Sequence, residues 1–210
     1  EAASAMLGTP WPAHPAPSAG LCAELGRQID ADWVILSGSA ADHHPVIAGC
    51  VCFPSSWSLP EKLGKPIEQV HAPVPTLAEE LNPSIHTFLQ RLAPTIAWER
   101  DNWGLAADDR LNHHPSIKAP LLHDNARLET TWLRLERQLL IRLPTTKAIL
   151  FGIKISVHRL DELVLQPGLA PRIARALQTM PESIAAYKGL SHCREALVRQ
   201  LQSIATGGGS

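Results

Sequence analysis

Thr131-Trp-Leu-Arg134-Leu-Glu136-Arg-Gln138-Leu139 and Ala148-Ile-Leu-Phe151-Gly-Ile153-Lys154-Ile155-Ser-Val157-His158, joined through Leu143-Pro-Thr-Thr-Lys147, are the runs that decide the fold. Side chains on a strand point to opposite faces in turn, so a two-residue period marks a strand with different surroundings on its two sides. In the first run Leu133 and Leu135 share one face, and Arg134, Glu136 and Gln138 share the other. In the second, Ile149, Phe151, Ile153 and Ile155 oppose Leu150, Gly152, Lys154 and Ser156. The pair reads as a hairpin crossed by a polar stripe. Facing water, that stripe is the outer side of an ordinary amphipathic sheet. Facing a pocket, it makes Arg134, Glu136 and Lys154 anchors for a charged ligand.

Upstream, Asp32 to Ser37 and Val46 to Phe53 read as two buried strands joined by the polar loop Gly38 to Pro45, with a short helix over Leu21 to Gln28 before them. Leu77, Leu81, Ile85, Phe88, Leu89 and Leu92 recur at helical spacing, with Pro83 expected to break or kink the helix. Ile96 to Gly104 is a short aromatic strand, and Ala106 to Asn125 a long polar excursion of the kind that is usually functional or mobile. The pairs His43-His44 and His113-His114, each followed by proline, fall in loops and are read as solvated. From Asp161 the chain is helical: Leu169 to Met180, then Pro181 to Lys188, a break at Gly189, and Ser191 to Ala205. These elements give an α+β class, one largely antiparallel sheet with helices packed on it and a helical C-terminal segment.

The Ala- and Pro-rich residues 1–20 are expected to be disordered or flexible, 21–205 to form a single domain, and 206–210 to be a linker or tag remnant. The first residue is not Met, as expected of a fragment or processed product. With 210 residues, 45% of them hydrophobic, the chain is long enough to bury a core. Its net charge of -1 argues against nucleic acid or an anionic membrane as partner, and no apolar run is long enough to span a bilayer, so a cytoplasmic location is expected. Cys22, Cys50, Cys52 and Cys193 lack paired C-x-x-C spacing. Cys50 and Cys52 would share one strand face, which could bind metal, but two small apolar residues in a core strand is the commoner explanation, and no role is assigned to them.

The second informative stretch is Trp57-Ser-Leu-Pro-Glu-Lys-Leu-Gly-Lys-Pro-Ile-Glu-Gln-Val-His71-Ala-Pro-Val-Pro75. Pro73 and Pro75 fix their own φ and push Ala72 and Val74 towards extended geometry, so the backbone after His71 has few conformations. Pro60 to Val70 has the spacing of a short, interrupted amphipathic helix that delivers the histidine. A rigidly delivered imidazole suits a haem or metal ligand. It equally suits a helix cap or a satisfied core histidine.

Phe53-Pro-Ser-Ser-Trp57, Glu61-Lys-Leu-Gly-Lys-Pro66, His71-Ala-Pro-Val-Pro75, Arg100-Asp-Asn-Trp103, Leu133-Arg-Leu-Glu-Arg-Gln138 and Arg142-Leu-Pro144, in this order, resemble the haem-dependent oxidative N-demethylase family. The resemblance runs from about Ala48 to Lys188. It implies a PAS-like sheet holding haem b and the oxygen-dependent removal of a methyl group from a small secondary amine such as dimethylamine, with release of formaldehyde. Electrons are then expected from flavin and iron–sulfur reductase modules. The chain departs from the family at Lys154, where arginine is more usual.

Taken with the residues, the resemblance makes His71 the expected iron ligand, its other ring nitrogen donating to a carbonyl or carboxylate, with His158 and then His86 as runners-up. Arg100, Arg134 and Lys154 are suited to haem propionates, with Trp103 beside Arg100 in the cofactor-binding set. Glu136 is the candidate partner of the cationic amine, or else a structural partner of Arg134 or Arg100, and Arg134 and Lys154 join it as candidate catalytic groups on the distal side. A haem-binding sensor or binding protein that never turns over is the alternative function.

Overall fold

The computed structural model describes residues 20–75 and 82–207. Five strands, β1 (Asp32–Leu36), β2 (Val46–Cys50), β3 (Trp98–Ala106), β4 (Trp132–Arg142) and β5 (Ile149–Arg159), form one sheet in the order β2-β1-β5-β4-β3. Among the described residues there are seven helices: α1 (Leu21–Gln28), α2 (Ile67–His71), α3 (Asn82–Arg91), α4 (Leu160–Leu163), α5 (Leu169–Thr179), α6 (Glu182–Tyr187) and α7 (Arg194–Gly207). The sheet is antiparallel and the class α+β, as the two-residue period implies. β1 lies between two partners, Val34 standing opposite Gly49 of β2 and Phe151 of β5. No helix among the described residues is long and apolar enough to cross a membrane.

The chain divides into two compact units, one of Glu1–Asn102 and Glu136–Ile155, the other of Trp103–Leu135 and Ser156–Ser210. The first unit is centred on Val34, Leu36, Val46, Ile67, Leu89, Leu92 and Ile149. There α1 comes so close to β2 that a Cβ at Gly26 would fall 2.3 Å from Cys50 Sγ, so only glycine fits. In the second unit Ala170, Ile173, Ala174 and Leu177 are the buried side chains of α5, one helical stripe that packs in a core with Leu160, Ala185, Leu190, Leu197 and Leu201. Gly189, at φ 69°, makes the left-handed break between α6 and the segment leading to α7.

Pro83 is the second described residue of α3, so the break or kink expected there falls against residues outside the described ones. The expected positions Leu77 and Leu81 lie outside the described residues. The far end of α3 is completed from β4. Arg142 donates from Nη2 to Leu89 O at 2.6 Å, from Nε to Leu92 O at 2.9 Å and from Nη1 to Lys147 O at 2.8 Å. Carbonyls at a helix C-terminus lack intrahelical partners, and a guanidinium supplies charge-assisted donors in their place.

Replacing Arg142 with Met keeps most of the aliphatic volume and removes those donors, so it should destabilise the protein by about 2 kcal/mol. Arg142→Lys should restore less than half of that, because an ammonium cannot span three carbonyls in a fork. Urea midpoints of the three proteins measure this, and equal midpoints would discount the cap.

Candidate functional site

Asp32 is buried at the start of β1, and a buried carboxylate needs donors. Its Oδ1 accepts from Cys52 N at 2.7 Å and its Oδ2 from Phe53 N at 2.9 Å. Those amides are thereby taken from the sheet, which is why β2 ends at Cys50 and not at Phe53 as the apolar run suggests. The clamp leads directly into the loop carrying Ser55, whose hydroxyl donates to Glu136 Oε1 on β4 at 2.6 Å. Glu136 Oε2 accepts from Gln138 Nε2 at 2.8 Å and from Asn102 Nδ2 at 3.2 Å. Gln138 Oε1 in turn accepts from Arg100 Nε at 2.7 Å.

Glu136 is therefore held by three neutral donors, and among the described residues it makes no ion pair. Neither Arg134 nor Arg100 is its partner, although the sequence offered both. Neutral donors make an anion tolerable on a half-buried strand face without cancelling its charge, which leaves it suited to a cationic ligand.

His71 is the last residue of α2. The helix is shorter than the Pro60 to Val70 expected from apolar spacing, because Gly64 takes φ 76° and Pro66 stays extended at the N-cap. Beyond it, Val74 N donates to His71 O at 2.9 Å across the proline-restricted turn. His71 Nδ1 is buried without a hydrogen-bond partner among the described residues. Burial first, and then the positive charges of Arg100 and Lys62, hold the imidazole below its ordinary pKa against a weaker opposite pull from Glu68. Lys62 itself donates from Nζ to Val70 O at 3.2 Å, beside the histidine.

His71, Arg100 and Glu136 thus belong to one unit and are linked through Gln138 and electrostatic proximity. Lys154 is in that unit but outside this group: it is 58% exposed and its Nζ lies 2.8 Å from Asp30 Oδ2. Of the other predicted residues, His86 is in the first unit, on α3, and Arg134, Trp103 and His158 belong to the second. There Arg134, only 5% exposed, donates to the carbonyls of Arg110 and Leu111 at 3.2 and 2.6 Å. Lys188 donates to Trp103 O at 2.5 Å and lies over its ring. His158 is exposed at the end of β5, its Nε2 3.2 Å from Ser156 Oγ.

The two histidine pairs are not simply solvated. His44 is fully buried with Nδ1 2.9 Å from Ser37 O, and His113 is buried with Nε2 2.8 Å from Asp108 Oδ1. Only their neighbours His43 and His114 keep appreciable exposure, and even these make side-chain hydrogen bonds, to Glu68 and Ser116. Loop position alone could not reveal this.

The first unit thus sets a buried, unpartnered histidine nitrogen within the electrostatic reach of two cations, Arg100 and Lys62. The family described as haem-dependent oxidative N-demethylase, alpha subunit-like, matches residues 3–198, and the chain belongs to it. The family is haem-dependent and oxidative by description. The residues present fit that group: an unprotonated imidazole with an unpartnered buried nitrogen is able to ligate iron, and Arg100 and Lys62 are able to meet carboxylates.

His71 and His44 both have pKa values lowered from 6.5, with burial the largest cause for each. The unfolded chain therefore binds protons that the folded protein refuses. Stability is fully present above about pH 6.5 and is lost as pH falls below it, towards the folded values. In the haem-free protein, denaturant midpoints should fall between about pH 7.5 and about pH 5, and His44→Gln should shallow that fall. Midpoints that stay level would contradict the assignment.

Proposed function

We propose that the chain is the haem-bearing, substrate-oxidising component of an oxidative N-demethylase that takes a methyl group from a small secondary amine such as dimethylamine. The observation that carries this reading is His71, a neutral imidazole with an unpartnered buried nitrogen in a chain of this family. His71 ligates the iron of haem b, and Arg100 and Lys62 supply positive charge for the propionates. Haem supplies dioxygen activation, and electrons come from a flavin and iron–sulfur reductase. In balance, the N-methyl amine, dioxygen, two electrons and two protons give the demethylated amine, formaldehyde and water.

The chain's own residues bind and orient the amine. Glu136 presents a carboxylate whose charge is unmatched by any cation among the described residues, so a substrate ammonium gains both an ion pair and a hydrogen bond there. Ser55, Asn102 and Gln138 fix the direction of that carboxylate, and as neutral donors they do not compete with a substrate cation. Gln138 also ties it to Arg100, so substrate anchor and cofactor anchor move as one piece.

Absorption spectra of the purified protein, then with dithionite, then with CO, should show a Soret band that shifts at each step. His71→Ala should lose it. Glu136→Gln should keep it and lower kcat/KM for dimethylamine by at least about tenfold, measured as formaldehyde formed with a supplied electron donor. An unchanged Soret band in His71→Ala would overturn the ligand assignment, and CO binding without amine oxidation would replace turnover by sensing.

A further inference from the structure

A group of side chains able to ligate a metal lies in the first unit apart from His71, and it includes His86, the second runner-up for the iron. His43, Glu68 and His86 each offer one donor atom, and the three atoms lie within 4.8 Å of one another. They come from three segments: His43 from the loop before β2, Glu68 from α2 and His86 from α3. His43 Nδ1 is 2.8 Å from Glu68 Oε1. The His86 ring stands 5.3 Å, centre to centre, from each of His43 and His44.

Hydrogen bonding accounts for only part of this group. His86 Nδ1 is buried without a partner among the described residues, and so is His44 Nε2. With His44 Nδ1 set 2.9 Å from Ser37 O, the proton belongs on Nδ1 and the orphaned Nε2 carries a lone pair. Buried nitrogens with open lone pairs are costly unless something meets them. His43 and His44 are also both left-handed, at φ 57° and 50°, a conformation that non-glycine residues adopt at a cost and that turns consecutive imidazoles towards α2 and α3. Burial of Glu68 opposes its ionisation most strongly of any single cause, but the hydrogen bond with His43, a backbone hydrogen bond and the charges of His43 and His86 together keep the carboxyl below its usual range.

We propose that His43, Glu68 and His86 bind a divalent transition-metal ion of the zinc class, independently of haem. Two imidazoles and one carboxylate are the donor set of a three-ligand zinc site with a fourth position open. The metal replaces the proton shared by His43 Nδ1 and Glu68 Oε1, so binding either releases that proton or moves it to the far nitrogen of His43. His44 is the nearest further imidazole, its open nitrogen beside the His86 ring. Glu68 lies three residues before His71 on α2, so the ion ties the loop before β2 and α3 to the helix that ends in His71.

The probe is Zn2+, added to the full chain, with its haem, after chelator treatment. Isothermal titration should show one ion bound per chain, and His43→Gln and Glu68→Gln should each weaken binding by at least about tenfold. His43 is exposed, so its variant tests the site even if His86→Gln fails to fold. X-ray absorption at the zinc edge, where haem iron does not interfere, should show nitrogen and oxygen neighbours with imidazole scattering from two histidines. Absence of stoichiometric binding, sulfur neighbours, or full affinity in His43→Gln and Glu68→Gln would each overturn the proposal.

Discussion

One face of β4 has to be satisfied before anything else in the fold can hold. Arg134, Glu136 and Gln138 stand at every second residue on that face and Arg142 follows beyond Leu140, and two of them, Arg134 and Gln138, are almost wholly buried. A buried polar side chain without partners costs more than a hydrogen bond returns, so each becomes a fixed demand on the surrounding chain. Arg134 fastens the loop at Arg110 and Leu111, Glu136 collects Ser55 and Asn102, Gln138 takes Arg100, and Arg142 closes the end of α3. Four side chains of one strand thereby set the positions of loops that share no sequence continuity.

The electrostatics of the first unit follow from how those demands are met. Arg100 spends its Nε on a neutral amide and keeps its charge for the neighbourhood, where it helps to hold His71 unprotonated. Glu136 accepts from a hydroxyl and two amides, and among the described residues it has no cationic partner. Had Arg100 paired directly with Glu136, both properties would have cancelled. The amide of Gln138 is the spacer that keeps a cationic side and an anionic side apart.

The sheet was legible in the sequence because period two in β4 and β5 and the apolar runs of β1 and β2 are local signals, and the strands fall within a few residues of where those signals put them. The stripe of β5 was less so: Lys154 alternates correctly yet reaches Asp30 at the surface, which no pattern within the strand encodes. His44 and His113 were misread because loop composition says nothing about the partner waiting at Ser37 or Asp108. The group at His43, Glu68 and His86 was invisible for the same reason, its members lying on three separate segments. His71 drew attention in the sequence because Pro73 and Pro75 follow it closely, although Ala72 is helical in the fold and not extended as Pro73 suggested.

The place of β1 in the middle of the β2-β1-β5 order also bears on how the chain is born. β1 and β2 are synthesised before β5 and can pair as a hairpin, but the other edge of β1 must wait for Ile149 to Ile153, roughly a hundred residues later. During that interval a short, apolar strand edge made of Trp33, Val34 and Ile35 has open amides and carbonyls. Expression yield should therefore depend on what shields that edge during synthesis, through slow translation of the middle segment or chaperone capture, more than on the stability of the finished sheet.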